Sequence, residues 1–447
     1  MAEVLLGADL GTSGLKLVAL DASGALVAEA ERGYAVDRPA PDRAEIEVPV
    51  WRAAFDAALA ALVPALAGAR VRALGIAGQM HGAVLVDADG GALRPAMLWP
   101  DRRATRELAR WRALPPADRA ALANPLVPGM TGPMLAWLAR HEPGVLGRAT
   151  AALLPKDALR ATLVPGSAVT DRSDASATLL WDVVADDWSA AAVTAAGVDG
   201  GLLPVVRPSD EVTGTARLPV GDVPVVVGGA DTPLALLAAG TTGGMQVNLG
   251  TGAQVLRPIG APVPADDPPV HCYADADGGW YAMAALQNGG SAWEWVCGVL
   301  GLPWAELFEA AASVPPGAGG VRFAPFLAGE RGGVAGPYDR GGWTGLHPGT
   351  TRADLARAAV EGVASAVAAA AGLLGGADDG RPVELSGGGA RAVVVQQAMA
   401  DALRLPVRHL RLRSASAIGA AVVAGRGTGL DVEPRRETGP VIEPSRG

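Results

Sequence analysis

The chain contains very little cysteine and almost no lysine. Its two cysteines, Cys272 and Cys297, have neither a metal-ligand spacing nor the pattern of a disulfide framework. This usage is typical of a protein from a reducing compartment. Lys16 and Lys156 are the only lysines, and every other basic residue is arginine, an imbalance that a genome-wide coding bias would produce.

Several familiar patterns are also absent. The chain has no long basic run and a net charge of -9, which argues against a nucleic-acid-binding surface. It has no Walker A sequence and no full Rossmann glycine spacing. The N-terminus lacks the order of a signal peptide, and the apolar run near Ala364–Leu374 is too short to cross a bilayer. We therefore expect a cytoplasmic protein with neither nucleic acid nor membrane as a partner.

The length and the apolar content predict two large domains. A chain of 447 residues exceeds one ordinary core, and hydrophobic residues make up 50% of it. A Pro-containing segment predicts the boundary near residue 222, which gives an N-terminal domain over 1–222 and a C-terminal domain over 223–430. The polar, Pro-rich residues 431–447 predict a loosely ordered tail.

A glycine turn between two apolar, β-type runs is the first candidate binding element. Gly11, Thr12 and Ser13 join the two runs, and a turn of this kind can surround an anion with its N–H groups. Lys16 would add a positive charge, and Asp9, just before the turn, could hold Mg²⁺ through water. An ordinary hairpin is the alternative interpretation.

Two further glycine stretches lie in the second half. Gly250 and Thr251 repeat the Leu-Gly-Thr turn between β-type runs, which predicts an internally duplicated architecture. Gly387, Gly388 and Gly389 follow a predicted strand and precede a predicted helix. That order lets a nucleotide lie on the backbone.

Asp231 is the candidate general base. The stretch Val225–Gly240 predicts a buried strand, then glycines, then an apolar helix, so the carboxylate stands at a strand end that another molecule can approach. A carboxylate within hydrogen-bond reach of a hydroxyl can accept its proton. We hypothesise that the two Leu-Gly-Thr turns hold phosphates while Asp231 takes a proton from the acceptor hydroxyl.

Two other polar stretches are weaker candidates for substrate contacts. Met80 and His81 follow a predicted strand and precede a glycine, so they can reach a ligand, although a structural histidine explains the spacing better. Trp99 and Asp101 lie in a stretch rich in Asp and Arg, which predicts either a polar ligand site or a solvated loop.

These residues fall in a series of stretches that resembles the FGGY carbohydrate kinases from about residue 4 to about residue 425. The matching stretches, in order, are GADLGTSGLKLVALD, GQMHG, MLWPDRRA, LLPKDALR, DRSDASATLLWDV, the Asp231 loop, LGTG, FLAGER, AAVEGVA and SGGGAR. Any one of them is a weak match, but their order and spacing together are specific. The likeness is strongest to the xylulose-phosphorylating members.

The resemblance implies an α/β fold of two actin-like (ribonuclease H-like) ATPase domains with an interdomain cleft that closes over ATP and sugar. By likeness, Asp231 is the base and Asp9 helps to position Mg²⁺. The phosphates would lie against the two turns, and the adenosine against the Gly387 run. Met80 and His81 would meet the ketose, with Trp99 and Asp101 near it. The implied reaction is transfer of the γ-phosphoryl group of ATP to D-xylulose.

The chain also departs from the family pattern, which leaves the acceptor open. Thr232, a candidate sugar-contacting residue, follows the base where an asparagine that touches the sugar is usual. Ala230 replaces the usual glycine, and Pro233 replaces a small residue. A kinase for another ketose or polyol is therefore one alternative, and a catalytically impaired sugar-binding regulator is another. A hydride-transfer enzyme that uses the Gly387 run is remote. Small-molecule sugar and ATP are the expected partners, and a homodimer is left open.

Overall fold

Two mixed β-sheets of seven strands each form the framework of the molecule. The computed structural model describes residues 2–240, 244–330, 333–375 and 380–445. The first sheet consists of the strands Ala2–Leu10, Gly14–Asp21, Leu26–Gly33, Ala69–Gly78, Val212–Leu218, Gly221–Val226 and Gly229–Ala230. The second consists of Gln246–Leu249, Ala253–Ile259, His271–Ala274, Trp280–Leu286, Val383–Ser386, Val407–Arg411 and Glu437–Ile442.

The two sheets repeat one strand pattern. In the first, the antiparallel hairpin of Ala2–Leu10 and Gly14–Asp21 extends into Leu26–Gly33, and Ala2–Leu10 is parallel to Ala69–Gly78. In the second, the antiparallel hairpin of Gln246–Leu249 and Ala253–Ile259 extends into Trp280–Leu286, and Gln246–Leu249 is parallel to Val383–Ser386. Each sheet continues with one more parallel strand and then an antiparallel one. The predicted internal duplication is therefore confirmed.

Helices cover the faces of both sheets. The longer ones are Val48–Leu62, Thr131–His141, Pro155–Leu163, Asp231–Ala239, Gly290–Leu300, Trp304–Ala312, Arg352–Leu373, Val393–Leu403 and Ala415–Gly427. The shorter ones are Leu108–Arg112, Pro116–Leu122, Pro143–Leu146, Arg172–Ala175 and Ala190–Ala196, with 3-10 turns at Val63–Leu66, Arg103–Thr105, Gly200–Leu202, Ala318–Gly320 and Gly388–Arg391. Short strand pairs complete the fold at Glu45–Ile46, Val84–Val86, Ala96–Met97, Ala151–Leu153, Val169–Asp171, Trp181–Asp182, Asp187–Trp188, Val205–Arg207, Arg322–Ala324 and Gly342–Thr344.

Local sequence explains why two of these helices form where they do. Helix Val48–Leu62 buries Trp51, Phe55 and Leu59, which recur at the spacing of one helix face. Helix Arg352–Leu373 begins with a capping box, because Thr351 and Asp354 each bond the other's backbone N–H.

Two helical segments have the length and hydropathy of a membrane span. They are Val48–Leu66 and Arg352–Leu373, of which 39% and 67% are buried within the protein. Each packs its apolar face into one of the two main cores. Composition alone therefore does not distinguish them from core helices of a folded domain.

Small residues allow one C-terminal helix to return to the first sheet. Helix Ala415–Gly427 lies so close to the strands that a Cβ at Gly7 would fall 1.8 Å from Ala417 O, and one at Gly75 would fall 2.0 Å from Ala420 O. This contact requires glycine in both strands. It also ties the end of the chain to the domain in which the chain begins.

The structure corrects two sequence-based expectations about domain organisation. Strand Gly221–Val226 lies inside the first sheet, so the first domain continues past residue 222, and the described strands of the second sheet begin at Gln246. The tail is not loose throughout, because Glu437–Ile442 pairs with Val407–Arg411. Pro440 makes the segment look unlike a strand in the sequence. Proline is nevertheless tolerated in an edge strand, where the missing N–H donor can face away from the neighbouring strand.

Candidate active site

Three parallel strand ends bring the two candidate carboxylates to one edge of the first sheet. Asp9 and Gly229 both pair with Ala77 of the central strand, one on each side. Two strand spacings, about 10 Å, therefore separate the backbones at these positions. Asp231 follows two residues after Gly229 and begins the helix Asp231–Ala239. The sequence-predicted base and metal ligand thus share this edge.

The first glycine turn is held rigid by its neighbours. The Gly11 N–H donates to Gly14 O at 3.0 Å, which closes the turn. Gln79 Nε2 donates to Gly11 O at 3.2 Å, and Thr12 Oγ1 donates to Gln79 Oε1 at 3.2 Å. Tyr34 N donates to Ser13 O at 3.0 Å. The turn is therefore fixed before any ligand arrives.

Asp231 is oriented by the residue that follows it. Thr232 donates to Asp231 Oδ1 from its backbone N–H at 2.6 Å and from its hydroxyl at 3.2 Å. Burial raises the pKa of Asp231 to about 6, although the Thr232 bonds act in the opposite direction. The group is consequently a stronger base than an exposed aspartate and is still mostly ionised at neutral pH.

Asp9 is the more strongly perturbed carboxylate. Burial and the charge of Asp231 raise its pKa to about 7. Lys16 lies directly opposite Asp9 in the hairpin, and its charge partly offsets this increase. Asp9 therefore lies in an environment that disfavours its negative charge.

Met80 and His81 follow the central strand, in which Gly78 pairs with Ala230, and both contact tyrosines of the second sheet. His81 has a left-handed backbone (φ 68°), and its Nδ1 lies 2.5 Å from Ala177 O. The buried Met80 accepts a hydrogen bond from Tyr281 of the second sheet at 3.8 Å. Burial raises the pKa of Tyr281, and the charge of Asp231 adds to that effect. The two domains therefore meet close to the predicted base.

Trp99 and Asp101 have different roles in the structure. The half-exposed Trp99 donates from Nε1 to Thr12 Oγ1 at 2.8 Å and so adjoins the first turn. Asp101 is 1% exposed, and its two oxygens accept bonds from Arg103 and from the Ala44 N–H. With its acceptor positions filled, Asp101 supports the loop and is not positioned to bind a sugar in this conformation.

Three of the remaining predicted glycines line a cavity of about 330 Å³ in the second domain. Its lining includes Gly250 and Thr251 of the second turn and Gly388 and Gly389 of the glycine run. Other lining residues are Leu249, Gly290, Ser291, Glu294 and Trp304. Sequence reasoning missed Ser291, Glu294 and Trp304, because they lie on helices whose spacing indicates only packing.

The predicted glycines in and next to this cavity differ in whether packing within the protein requires a glycine. A Cβ at Gly387 would fall 2.5 Å from Leu249 O, and one at Gly389 would fall 2.7 Å from the Trp293 ring, so internal packing excludes a side chain there. A Cβ at Gly388 would meet nothing within 4 Å, and one at Gly250 would meet only Gly252 O, at 3.9 Å. Packing does not explain these last two glycines, but the close approach of a ligand would.

Comparison with protein families agrees with this arrangement. Residues 4–238 match the FGGY family of carbohydrate kinases, N-terminal domain, and residues 245–428 match the C-terminal domain of the same family. The chain belongs to the FGGY family. It is a carbohydrate kinase with a two-domain α/β fold. The N-terminal match includes Asp231, which the boundary expected at residue 222 assigned to the second domain.

Individual FGGY relatives cover almost the whole chain. A xylulose kinase of Escherichia coli (strain K12) is 34% identical over 443 residues, which are 96% of this chain and 90% of the relative. A glycerol kinase of Thermus brockianus is 33% identical over 96% of this chain and 90% of its own length. The crystal structure of a "xyloylose kinase" from Brucella ovis superimposes with a TM-score of 0.91 at 32% identity, covering 99% of this chain and 95% of that one.

Proposed function

We propose that this FGGY kinase transfers the γ-phosphoryl group of ATP to D-xylulose, with Asp231 as the general base. The observation that carries the proposal is the position of Asp231 at a shared strand edge beside Asp9 and the first turn. Its pKa of about 6 suits a base that works near neutral pH. Similarity to named xylulose kinases supports the choice of sugar.

Asp231 would act through one oxygen while the other is held. Because Thr232 bonds Oδ1 twice, the carboxylate has a fixed orientation, and Oδ2 would receive the proton of the acceptor hydroxyl. The hydroxyl oxygen then forms the new bond to phosphorus as the bond to the ADP oxygen breaks. General base catalysis of this kind contributes roughly 10²–10⁴-fold to the rate.

The nucleotide would lie in the cavity of the second domain. Gly388 leaves open space at the glycine run, so the adenosine can approach the backbone there. Gly250 and Thr251 at the second turn, and Gly11, Thr12 and Ser13 at the first, would offer N–H groups to the phosphates. Oriented donors of this kind stabilise the charge that spreads over the phosphoryl oxygens in the transition state.

The carboxylate edge fits a magnesium ion that accompanies the nucleotide. The described residues contain no group of three or more His, Cys, Asp and Glu that could hold a metal. Mg²⁺ bound with a nucleotide usually needs only one or two carboxylates, because waters and phosphate oxygens complete its coordination. Asp9 would supply one, and a cation there would counteract the burial and the Asp231 charge that raise the pKa of Asp9. When bound, Mg²⁺ would neutralise phosphate charge.

The sugar would occupy the space between Asp231, Met80, His81 and Trp99. Trp99 joins this group to the first turn through Thr12, so one side chain can contact both substrates. Another ketose or a polyol is the second candidate acceptor. One argument for it is that the Thr232 hydroxyl donates to Asp231 and is therefore not directed to a sugar. The other is the similarity to a glycerol kinase.

A panel of acceptors coupled to ADP release tests the proposal. We expect D-xylulose to give the highest kcat/KM among ketopentoses, ketohexoses and polyols that include glycerol. Faster turnover of another acceptor would contradict the sugar assignment and leave the kinase intact. If none of the acceptors led to ADP release although sugar binding was measurable, the protein would instead be a catalytically impaired sugar-binding regulator.

A further inference from the structure

A fully buried lysine is connected by hydrogen bonds to the Asp231 segment. Lys156, at the start of helix Pro155–Leu163, is 0% exposed. Its Nζ lies 2.6 Å from Asp157, 3.1 Å from Asp171 and 3.1 Å from Asp174. All three carboxylates are buried as well. None of these four residues is among those proposed above to touch ATP or sugar.

One arm of this cluster ends on the backbone next to the base. Asp171, paired with Lys156, accepts the hydroxyl bond of Ser173 and also its N–H at 2.8 Å. Ser173 Oγ in turn accepts the backbone N–H of Ala230 at 2.9 Å. Ala230 immediately precedes Asp231, so this arm fixes the peptide from which the catalytic side chain projects.

A second arm reaches the other end of the same segment. Asp157, also paired with Lys156, accepts a bond from Arg160 Nη1 at 2.7 Å. The same guanidinium nitrogen donates to Val227 O at 2.6 Å. The residues between Val227 and Ala230 are Gly228 and Gly229, which have no side chains of their own to anchor them. The two arms therefore hold the residues on both sides of the glycine pair.

We propose that the Lys156 cluster is a positioning device for catalysis, and that Lys156, Asp171 and Ser173 set the location of the Asp231 carboxylate. The inference rests on the proposed role of Asp231 as the base. These residues act through the backbone and touch neither substrate. A carboxylate displaced by about 1 Å loses hydrogen-bond reach to the acceptor hydroxyl, which can cost on the order of 10²-fold in rate.

The identity of Lys156 supports this role. The chain uses arginine at every basic position except Lys16 and Lys156. An ammonium group offers three donors on a compact head and can bond three carboxylates at once, whereas a guanidinium is a flat fork that needs more room. The start of the side chain is also packed closely against the central strand, because a Cβ at Gly78 would lie 2.7 Å from Lys156 Cβ. Burial also raises the pKa of Asp174, although the charge of Lys156 acts in the opposite direction.

The test compares two serines on one short segment. Ser173→Ala removes the acceptor of the Ala230 N–H. Ser176→Ala is the matched control, because Ser176 is also buried (2% exposed) and its Oγ accepts the Ala274 N–H at the same 2.9 Å. Ala274 lies in the second sheet and not in the Asp231 segment. Both variants are assayed with D-xylulose and ATP, with the melting temperature measured alongside.

We expect Ser173→Ala to lower kcat about 10- to 100-fold while the KM for ATP stays within about threefold. Ser176→Ala should lower the melting temperature by a similar amount and change kcat less than threefold. Equal losses of kcat in both variants, or an unchanged kcat in Ser173→Ala, would overturn the inference.

Two further measurements keep the test decisive. If Ser173→Ala does not fold, Ser209→Ala replaces it, because Ser209 Oγ donates to Asp171 Oδ2 at 3.2 Å from a half-buried position. We expect a loss of kcat of about two- to fivefold, and no loss would count against the role of Asp171. The wild-type enzyme and Asp231→Asn are assayed in parallel. An inactive wild type or an active Asp231→Asn would refute the proposed function, whereas normal results there with an unaffected Ser173→Ala would refute only the positioning role.

Discussion

At the scale of single residues, the site is defined by two carboxylates whose environments disfavour their charge. Burial accounts for most of the raised pKa of both Asp9 and Asp231. A structural aspartate would normally be paired, as Asp101 is with Arg103. Asp9 has only the partial compensation of Lys16 across the hairpin. Asp9 therefore costs folding stability that a purely structural residue would not.

This cost predicts the effect of Asp9→Asn on stability. The folded-state pKa of about 7 is above the ordinary value of 3.8. The contribution of Asp9 to wild-type stability therefore falls as pH rises from about 4 through 7. The amide does not ionise, and Asp9→Asn should therefore melt at a higher temperature than wild type at pH 8. The difference should shrink as pH falls toward 5.

Differential scanning calorimetry at pH 5, 6.5 and 8 measures this, and Asp101→Asn provides the opposite case because it breaks a buried ion pair. A lower melting temperature for Asp9→Asn at pH 8 would show that the Asp9 charge is compensated in the folded protein.

At the scale of elements, sequence reasoning located the two hairpins, the Asp231 strand end and the glycine run, because each combines a hydrophobic period with glycine. It could not distinguish glycines required by packing from those left open, since that depends on contacts with Leu249 and Trp293, which are distant in sequence. A 3-10 turn at Gly388–Arg391 contains the last two glycines of the run, and the predicted helix follows at Val393–Leu403.

The contrast between Gly387 and Gly388 gives a paired prediction. Gly388→Ala adds a methyl group into open space, so it should leave the melting temperature nearly unchanged and raise the KM for ATP by about tenfold or more. Gly387→Ala meets Leu249 O and a left-handed backbone (φ 89°), so it should lower the free energy of unfolding by about 2 kcal/mol.

Steady-state kinetics with varied ATP, together with urea unfolding, separate the two effects. If Gly388→Ala kept the wild-type KM for ATP, the nucleotide would not lie against this turn.

At the scale of the whole molecule, duplication explains why two distant Leu-Gly-Thr turns matter. Each turn joins the first two strands of its own sheet, and the two sheets repeat the same pairings. A three-residue repeat in the sequence hinted at this order. The true extent of the first domain was beyond sequence reasoning, because strand Gly221–Val226 and helix Ala415–Gly427 join the first sheet through non-local contacts. The strand Glu437–Ile442 was missed because it contains Pro440 and because its pairing with Val407–Arg411 is not visible in the sequence.

The positioning role of Lys156 also belongs to this scale. It depends on side chains from two parts of the chain and on the backbone of a third, which only the fold brings together. The sequence showed a rare lysine in a polar stretch. Its partners Asp171 and Asp174 are close neighbours of Ser173 in the sequence, but the link to Val227 and Ala230 appears only in three dimensions.

The most direct test of the account is the rate of ADP formation by Asp231→Asn with D-xylulose, measured beside ATP binding by calorimetry. Asparagine preserves the size of the side chain but cannot accept the hydroxyl proton. We predict that kcat falls by roughly 10²–10⁴-fold while the Kd for ATP stays within about threefold. An Asp231→Asn enzyme that retained most of its turnover would contradict the central claim that this carboxylate is the base.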